Sequence, residues 1–217
     1  MKKNNRKAVL VIDGSFVDFN DIIAVARYGV PVQISPSASF IKKMEKTQKI
    51  LINAMQKGIP VYGVTTGYGK SCGKRMSMEI AMKNGVNILE FHGCGTGEPI
   101  GIEETRAAML CRIICLARGY SGVSIALLKQ MADFLNHGIT PVVPCEGSVG
   151  ASGDLTPMSY VGACLTGKRD VIYRGKTMPA AKALKQAGIK PYLYLPKEPL
   201  AMLNGTTTMT GIAVLAV

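Results

Sequence analysis

Tryptophan is missing from these 217 residues, and all aromatic residues together make up only 6%. A stacking platform for single-stranded bases is thus poorly supplied, although 26 Lys and Arg against 14 Asp and Glu give a net charge of +12. Such a balance suits nucleic acid, an anionic membrane surface or small acidic substrates. The one dense basic cluster, Lys2, Lys3, Arg6 and Lys7, reads as a solvated tail, and the other positive charges are scattered. Neither nucleic acid nor a membrane is expected as a partner. Paired cysteine spacings are missing too: Cys72, Cys94, Cys111, Cys115, Cys145 and Cys164 contain no C-x-x-C. That excludes the common zinc and dithiol arrangements, and no metal is expected. Cys111 and Cys115 share a helix face in an apolar stretch and read as buried small hydrophobes. Long apolar runs are also lacking. Residues 8–12 are interrupted by Asp13, too soon for a signal peptide, and no stretch approaches membrane-spanning length. A cytoplasmic protein is expected.

What is present is a core. Hydrophobic residues reach 47% and charged residues only 18%, which excludes intrinsic disorder and leaves room for one large domain or two small ones. No internal repeat or low-complexity segment is visible. Residues 18–27 read as a helix capped by Asp18, Asn20 or Asp21 and stopped by Gly29. Pro36 predicts a second start at the first helical position, followed by helical spacing over 37–57. Residues 58–101 carry many glycines and read as loops, where positioned chemistry tends to sit. Helices follow over 103–118, from Ser121 to Gly138, and from a Thr156 cap with Pro157 behind it to about Leu165. Residues 170–176 read as a strand entering a turn, 180–186 as a short helix, and 188–199 as extended. Residues 209–217 read as an apolar helix cut off in mid-course with nothing to pack on, the mark of a fragment. The fold class is mainly α.

Conventional catalytic constellations come up short, although the residue types for a Ser-His-Asp arrangement are present. Of the two histidines, His137 sits at a helix end, where it complements the dipole. No G-x-S-x-G elbow and no Walker sequence occurs, and the Gly-x-Gly spacings around Gly67 and Gly95 follow no clear strand. What remains is GSVGASGDL over 147–155. Ser152 stands between Ala151, which cannot obstruct, and Gly153, whose amide nitrogen can fold backwards. Attack of that nitrogen on the Ala151 carbonyl carbon closes a five-membered ring. Loss of one water from the ring and one from the Ser152 side chain leaves an exocyclic methylidene, a strong electrophile. The helix that follows aims its positive end at this place.

GSVGASGDLTP resembles the cofactor-forming motif of the aromatic amino acid ammonia-lyases that act on histidine, phenylalanine and tyrosine. Three more segments match in order: VYGVTTGYG (61–69) resembles the family's tyrosine loop, NILEFHGCGTG (87–97) its specificity segment, and LNGT (203–206) its asparagine motif. The match runs from about residue 21 to the end. The resemblance implies a mainly α fold, the N-terminal half of the fumarase/aspartase-like helical ammonia-lyase fold, with loop-rich active-site segments and a short strand or hairpin. It implies 4-methylideneimidazole-5-one (MIO) formed from Ala151, Ser152 and Gly153, a homotetramer, and elimination of ammonia to an α,β-unsaturated acid. It further implies Tyr62 as the base, with a phenolate stabilised by positive helix ends. Gly67 and Gly69 would admit the ligand closely, Asn204 would bond the ring or the substrate, and Phe91 and His92 would contact the substrate side chain.

Three features depart from the family pattern. Phe91-His92 mixes the pairs typical of phenylalanine and histidine lyases, Thr65 stands where many members have Asn, and Glu90 is an unexpected acid in an apolar setting. Residues 1–217 correspond to the cofactor-bearing part. The helical half that supplies an arginine for the substrate carboxylate, a second tyrosine and a late glutamate lies outside them. An aminomutase using the same ring, or an inactive truncated or split fragment, are the alternative readings.

Overall fold

The computed structural model describes residues 8–77, 79–80 and 85–217. The basic cluster at Lys2, Lys3, Arg6 and Lys7 lies outside the described residues. Helices dominate: α1 (Phe19–Tyr28), α2 (Ala38–Gln56), α3 (Asn87–Phe91), α4 (Ile102–Ala117), α5 (Ile125–His137), α6 (Leu155–Leu165), α7 (Ala180–Ala187), α8 (Glu198–Leu203) and α9 (Thr207–Ala216). The strands are short. β1 (Leu10–Ile12) pairs in parallel with β2 (Val32–Ile34), β3 (Thr96–Pro99) pairs antiparallel with β5 (Pro144–Glu146), and β4 (Thr140–Pro141), β6 (Asp170–Tyr173) and β7 (Lys176–Pro179) form an antiparallel sheet.

Helix α4 is the axis of the core. Ala107, Met109, Leu110, Ile113, Leu116 and Ala117 are fully buried, and α1, α5 and α9 pack around it. Local signals explain most of the boundaries. Asp18 caps α1 by accepting from the Asn20 amide at 2.8 Å, and Gly29 ends it with φ +68°, in the left-handed region that favours glycine. Three expected starts move. Ser37 precedes α2, so Pro36 lies before the helix and not at its first position. Asp154, not Thr156, flanks α6, whose first turn then contains Pro157. The start expected at Ser121 falls instead at Ser124, whose hydroxyl accepts from the Leu127 amide at 3.2 Å.

Two regions read as simpler than they are. At the end of the segment read as extended, α8 begins because Glu198, wholly buried, draws donors from elsewhere: Ser124 N–H, Leu195 N–H and the Tyr192 hydroxyl all reach its carboxylate within 2.9 Å. Burial and that carboxylate push the Tyr192 phenol above its ordinary range. The terminal apolar helix is not without a partner. Gly211 brings α9 so close to α4 that a Cβ there would stand 2.5 Å from the Ala108 nitrogen, and Leu215 is buried. Met209 and Ile212 remain 59% and 41% exposed. Cys111 is buried as expected, but Cys115 is exposed. No described helix is long and apolar enough to cross a membrane.

Three buried groups lead to two tests. The Arg106 guanidinium donates to the Val25, Ala26 and Leu135 carbonyls at 2.8–3.1 Å, closing the ends of both α1 and α5. Arg106→Leu leaves these carbonyls without that donor and should cost about 3 kcal/mol, read as a lowered unfolding midpoint. Burial pushes the Cys111 thiol up to about 11 and the Cys164 thiol higher still. At about pH 8 both should resist a thiol reagent until the protein is denatured.

Candidate active site

The segment 147–154 is built for a reversal. Ser152 has φ +60° and Gly153 φ +93°, and the Gly153 amide points back to the Gly150 carbonyl at 3.4 Å. A left-handed serine is uncommon and persists only where its surroundings hold it. Here the asparagine segment does so. Gly153 and Gly205 form a parallel bridge, Gly205 N–H donates to the Ser152 carbonyl at 3.3 Å, and Asp154 N–H donates to the Gly205 carbonyl at 2.7 Å. The Asn204 side chain adds Nδ2–H to the same Ser152 carbonyl at 3.4 Å. A Cβ on Gly153 would overlap the Gly205 carbonyl, so only glycine fits there. The residues thus suit the expected ring: the chain turns back over Ser152 and Gly153, and the second position carries nothing but hydrogen.

Two residues that sequence reasoning did not single out complete the setting. Asp154 is buried and precedes α6, and its carboxylate accepts from the Ser148 hydroxyl at 3.3 Å and from the Met209 amide of α9 at 2.9 Å. The positive ends of α6 and α9 therefore meet beside Ser152, where one helix was expected. Arg112, only 2% exposed, lies against Gly205: a Cβ there would stand 2.9 Å from Nη2. Its Nε and Nη2 have no hydrogen-bond partner among the described residues. Burial lowers the pKa of this guanidinium. The signal for Arg112 was a single charge within the otherwise apolar run 107–117, and for Asp154 an acid directly after the Ala-Ser-Gly.

The tyrosine loop forms a second group. Tyr62 is 53% exposed, and its hydroxyl oxygen accepts from the Gly69 N–H at 3.0 Å. That donor opens a 3-10 turn, Gly69–Ser71, so the polar neighbour of the phenol belongs to its own loop. The Tyr62 ring meets Tyr68 edge-on at 6.3 Å. Burial, followed by Tyr62, pushes the Tyr68 phenol up. Thr65 has a local role, its hydroxyl accepting from the Val61 amide at 2.9 Å. The absent side chain of Gly67 serves loop closure, since a Cβ would stand 2.6 Å from the Ser71 carbonyl oxygen, whereas Gly69 (φ +52°) faces open space. The loop rests on α8 through Gly63, where a Cβ would come within 2.8 Å of Leu200. Helix α8 ends at Asn204, which links the loop to the asparagine segment.

Phe91 is 72% exposed and lines a cavity of about 300 Å³ with Gly63, Tyr68, Met76 and Asn87. The His92 Nδ1 lies 2.9 Å from the Ile88 carbonyl. A carbonyl can only accept, so the proton is on Nδ1 and Nε2 can accept from another group. Leu89, fully buried, packs this helix against Gly162 of α6. The acid at Glu90 is explained by an ion pair with Lys168 at 2.7 Å. No described hydrogen bond joins Tyr62, Phe91 or His92 to residues 151–153. The three segments approach one another through α3, α6 and α8.

Comparison with known proteins places this geometry. The sequence profile described as aromatic amino acid lyase matches residues 17–217. Histidine ammonia-lyase from Gloeobacter violaceus is 40% identical over 209 residues, covering 96% of this chain and 40% of that protein. The chain thus spans about two fifths of that curated relative. Among solved structures, the ergothioneine-degrading enzyme ergothionase from Treponema denticola superposes with TM-score 0.91 at 30% identity, over 95% of this chain and 41% of that one. Tyrosine aminomutase from Streptomyces globisporus superposes with TM-score 0.86 at 33% identity, over 95% of this chain and 38% of that one.

Proposed function

The chain belongs to the aromatic amino acid lyase family, and we propose that residues 1–217 carry the cofactor-forming part of an ammonia-lyase acting on L-histidine, L-phenylalanine or L-tyrosine. The observation that supports this best is the reversed turn at Ser152 and Gly153, held against Gly205 and Asn204. Ala151, Ser152 and Gly153 would form the MIO group, which would supply an electrophilic carbon for the substrate amine and so a better leaving group.

The chain's own residues supply the rest. Tyr62, acting as the phenolate, takes the β-proton at its phenolic oxygen and becomes a neutral phenol; the Gly69 N–H that donates to this oxygen stabilises the anionic form that precedes the transfer. Asn204 keeps the Ser152 carbonyl in place through Nδ2. Gly69, open on its side-chain face, lets substrate approach the loop. Phe91 offers an apolar wall, and His92 Nε2 accepts from an imidazole N–H or a phenol. That polar end, with the likeness to histidine ammonia-lyase, favours histidine. The site needs no metal. The protein works in the cytoplasm as a homotetramer whose subunits combine to complete each site.

The likeness to tyrosine aminomutase supports a second reading, in which ammonia is returned to the β-carbon of the same substrate. One experiment separates the two. Purified protein is given each of the three amino acids, and the unsaturated acid, ammonia and any β-amino acid are measured. Ammonia released in step with the unsaturated acid supports the lyase; a β-amino acid as main product supports the mutase. No turnover of any of the three, by protein of verified ring content, would reject both.

A further inference from the structure

We propose that Arg169, assisted by Lys168, is the positioning residue that fixes how Phe91 and His92 face the substrate, and so governs which aromatic side chain is accepted. This rests on the reading that Phe91 and His92 contact the substrate. The described hydrogen bonds tie neither side chain beyond its own helix: Phe91 is 72% exposed, and half-buried His92 bonds back to the Ile88 carbonyl. Their direction is therefore set by the backbone on either side, and that backbone is gripped from the turn between α6 and β6.

The grip has three points. Before the pair, Lys168 Nζ meets the Glu90 carboxylate at 2.7 Å. After it, Arg169 Nη2 donates to the Gly93 carbonyl at 3.2 Å, with the guanidinium where a Cβ on residue 93 would lie. Two residues on, the hydroxyl of buried Tyr160 donates to the Gly95 carbonyl at 3.3 Å. Arg169 joins the last two points, since its Cζ lies 4.2 Å from the centre of the Tyr160 ring. Tyr160 belongs to α6, the helix that begins beside Ser152, so the specificity segment is referenced to the same rigid element as the ring-forming turn. Arg169 also has φ +60°, an uncommon conformation for a side chain of this size, and its buried Nε has no partner among the described residues. Strain of this kind tends to be kept where position matters to function. An ion pair serving stability alone would need neither the left-handed backbone nor the bare face of Gly93.

The test compares kcat and KM for L-histidine, L-phenylalanine and L-tyrosine in the full protein and in Arg169→Gln, Arg169→Lys and Gly93→Ala, with Phe91→Leu and His92→Leu in parallel. Arg169→Gln should shift the ratio of kcat/KM between the best and second-best substrates by roughly tenfold, the scale of a modest pocket change. The shift should lie mainly in KM, with MIO absorbance and melting temperature retained. Gly93→Ala, whose methyl takes the guanidinium's place, should reproduce it. Arg169→Lys, which keeps a charge and a donor, should restore most of the discrimination. If the Phe91 and His92 variants shift preference while Arg169→Gln and Gly93→Ala leave it within about twofold, the proposal is overturned and the reading of the pair stands. If no variant shifts preference, both fall. An equal loss for all three substrates together with lost absorbance or stability shows a merely structural role and also overturns it. Should Arg169→Gln fail to fold, Gly93→Ala and Arg169→Lys decide alone.

Discussion

Ser152→Ala should leave a protein whose intact mass is that of the unmodified substituted chain, whereas the parent is lighter by two waters. The Ser152 hydroxyl is the group lost in the second dehydration, and alanine has nothing to lose there, so no methylidene forms. The ultraviolet difference absorbance of the ring should vanish with it. Turnover should fall by about 10³-fold or more, the scale seen when the group that bonds covalently to substrate is removed. Folding should survive, because Ser152 is exposed and holds its neighbours through its backbone carbonyl, not its hydroxyl. An active parent with the mass of the unmodified chain would refute the assignment of the ring to Ala151, Ser152 and Gly153.

Tyr62→Phe is the second large effect. It removes one hydroxyl at nearly constant volume from a ring that is already 53% exposed. The structural cost is the bond from Gly69 N–H, about 1 kcal/mol or less at such an exposed site. Mass and ring absorbance should therefore match the parent, while kcat drops by about 10² to 10⁴-fold, as for loss of a general base. The separation of the two readouts matters: Ser152→Ala loses ring and rate together, Tyr62→Phe loses rate alone. A Tyr62→Phe rate within about threefold of the parent would place the base on another residue.

Much of the architecture could be read directly because its causes are local. Asp18, Gly29 and Gly138 mark helix ends by their own side chains and backbone preferences; α4 is marked by the acids of its first turn, and α5 by its apolar spacing. The proposed Ala-Ser-Gly chemistry could be put forward for the same reason: three adjacent residues contain all the atoms of the ring. The elements that escaped are those whose stability comes from distant partners. The strands β1 and β2 are three residues each and exist through their mutual pairing. Helix α8 depends on Ser124 and Tyr192 reaching Glu198; the terminal helix α9 could be read as a helix, but not its partner α4, which is remote in sequence. Only the tertiary structure could decide that Gly205 closes over Gly153, that α9 joins α6 at Asp154, that Arg112 lies buried beneath them, and that Glu90 answers to Lys168. Each is a contact between residues remote in sequence, and a pattern read along the chain contains the propensity to turn but not the partner that holds the turn in place.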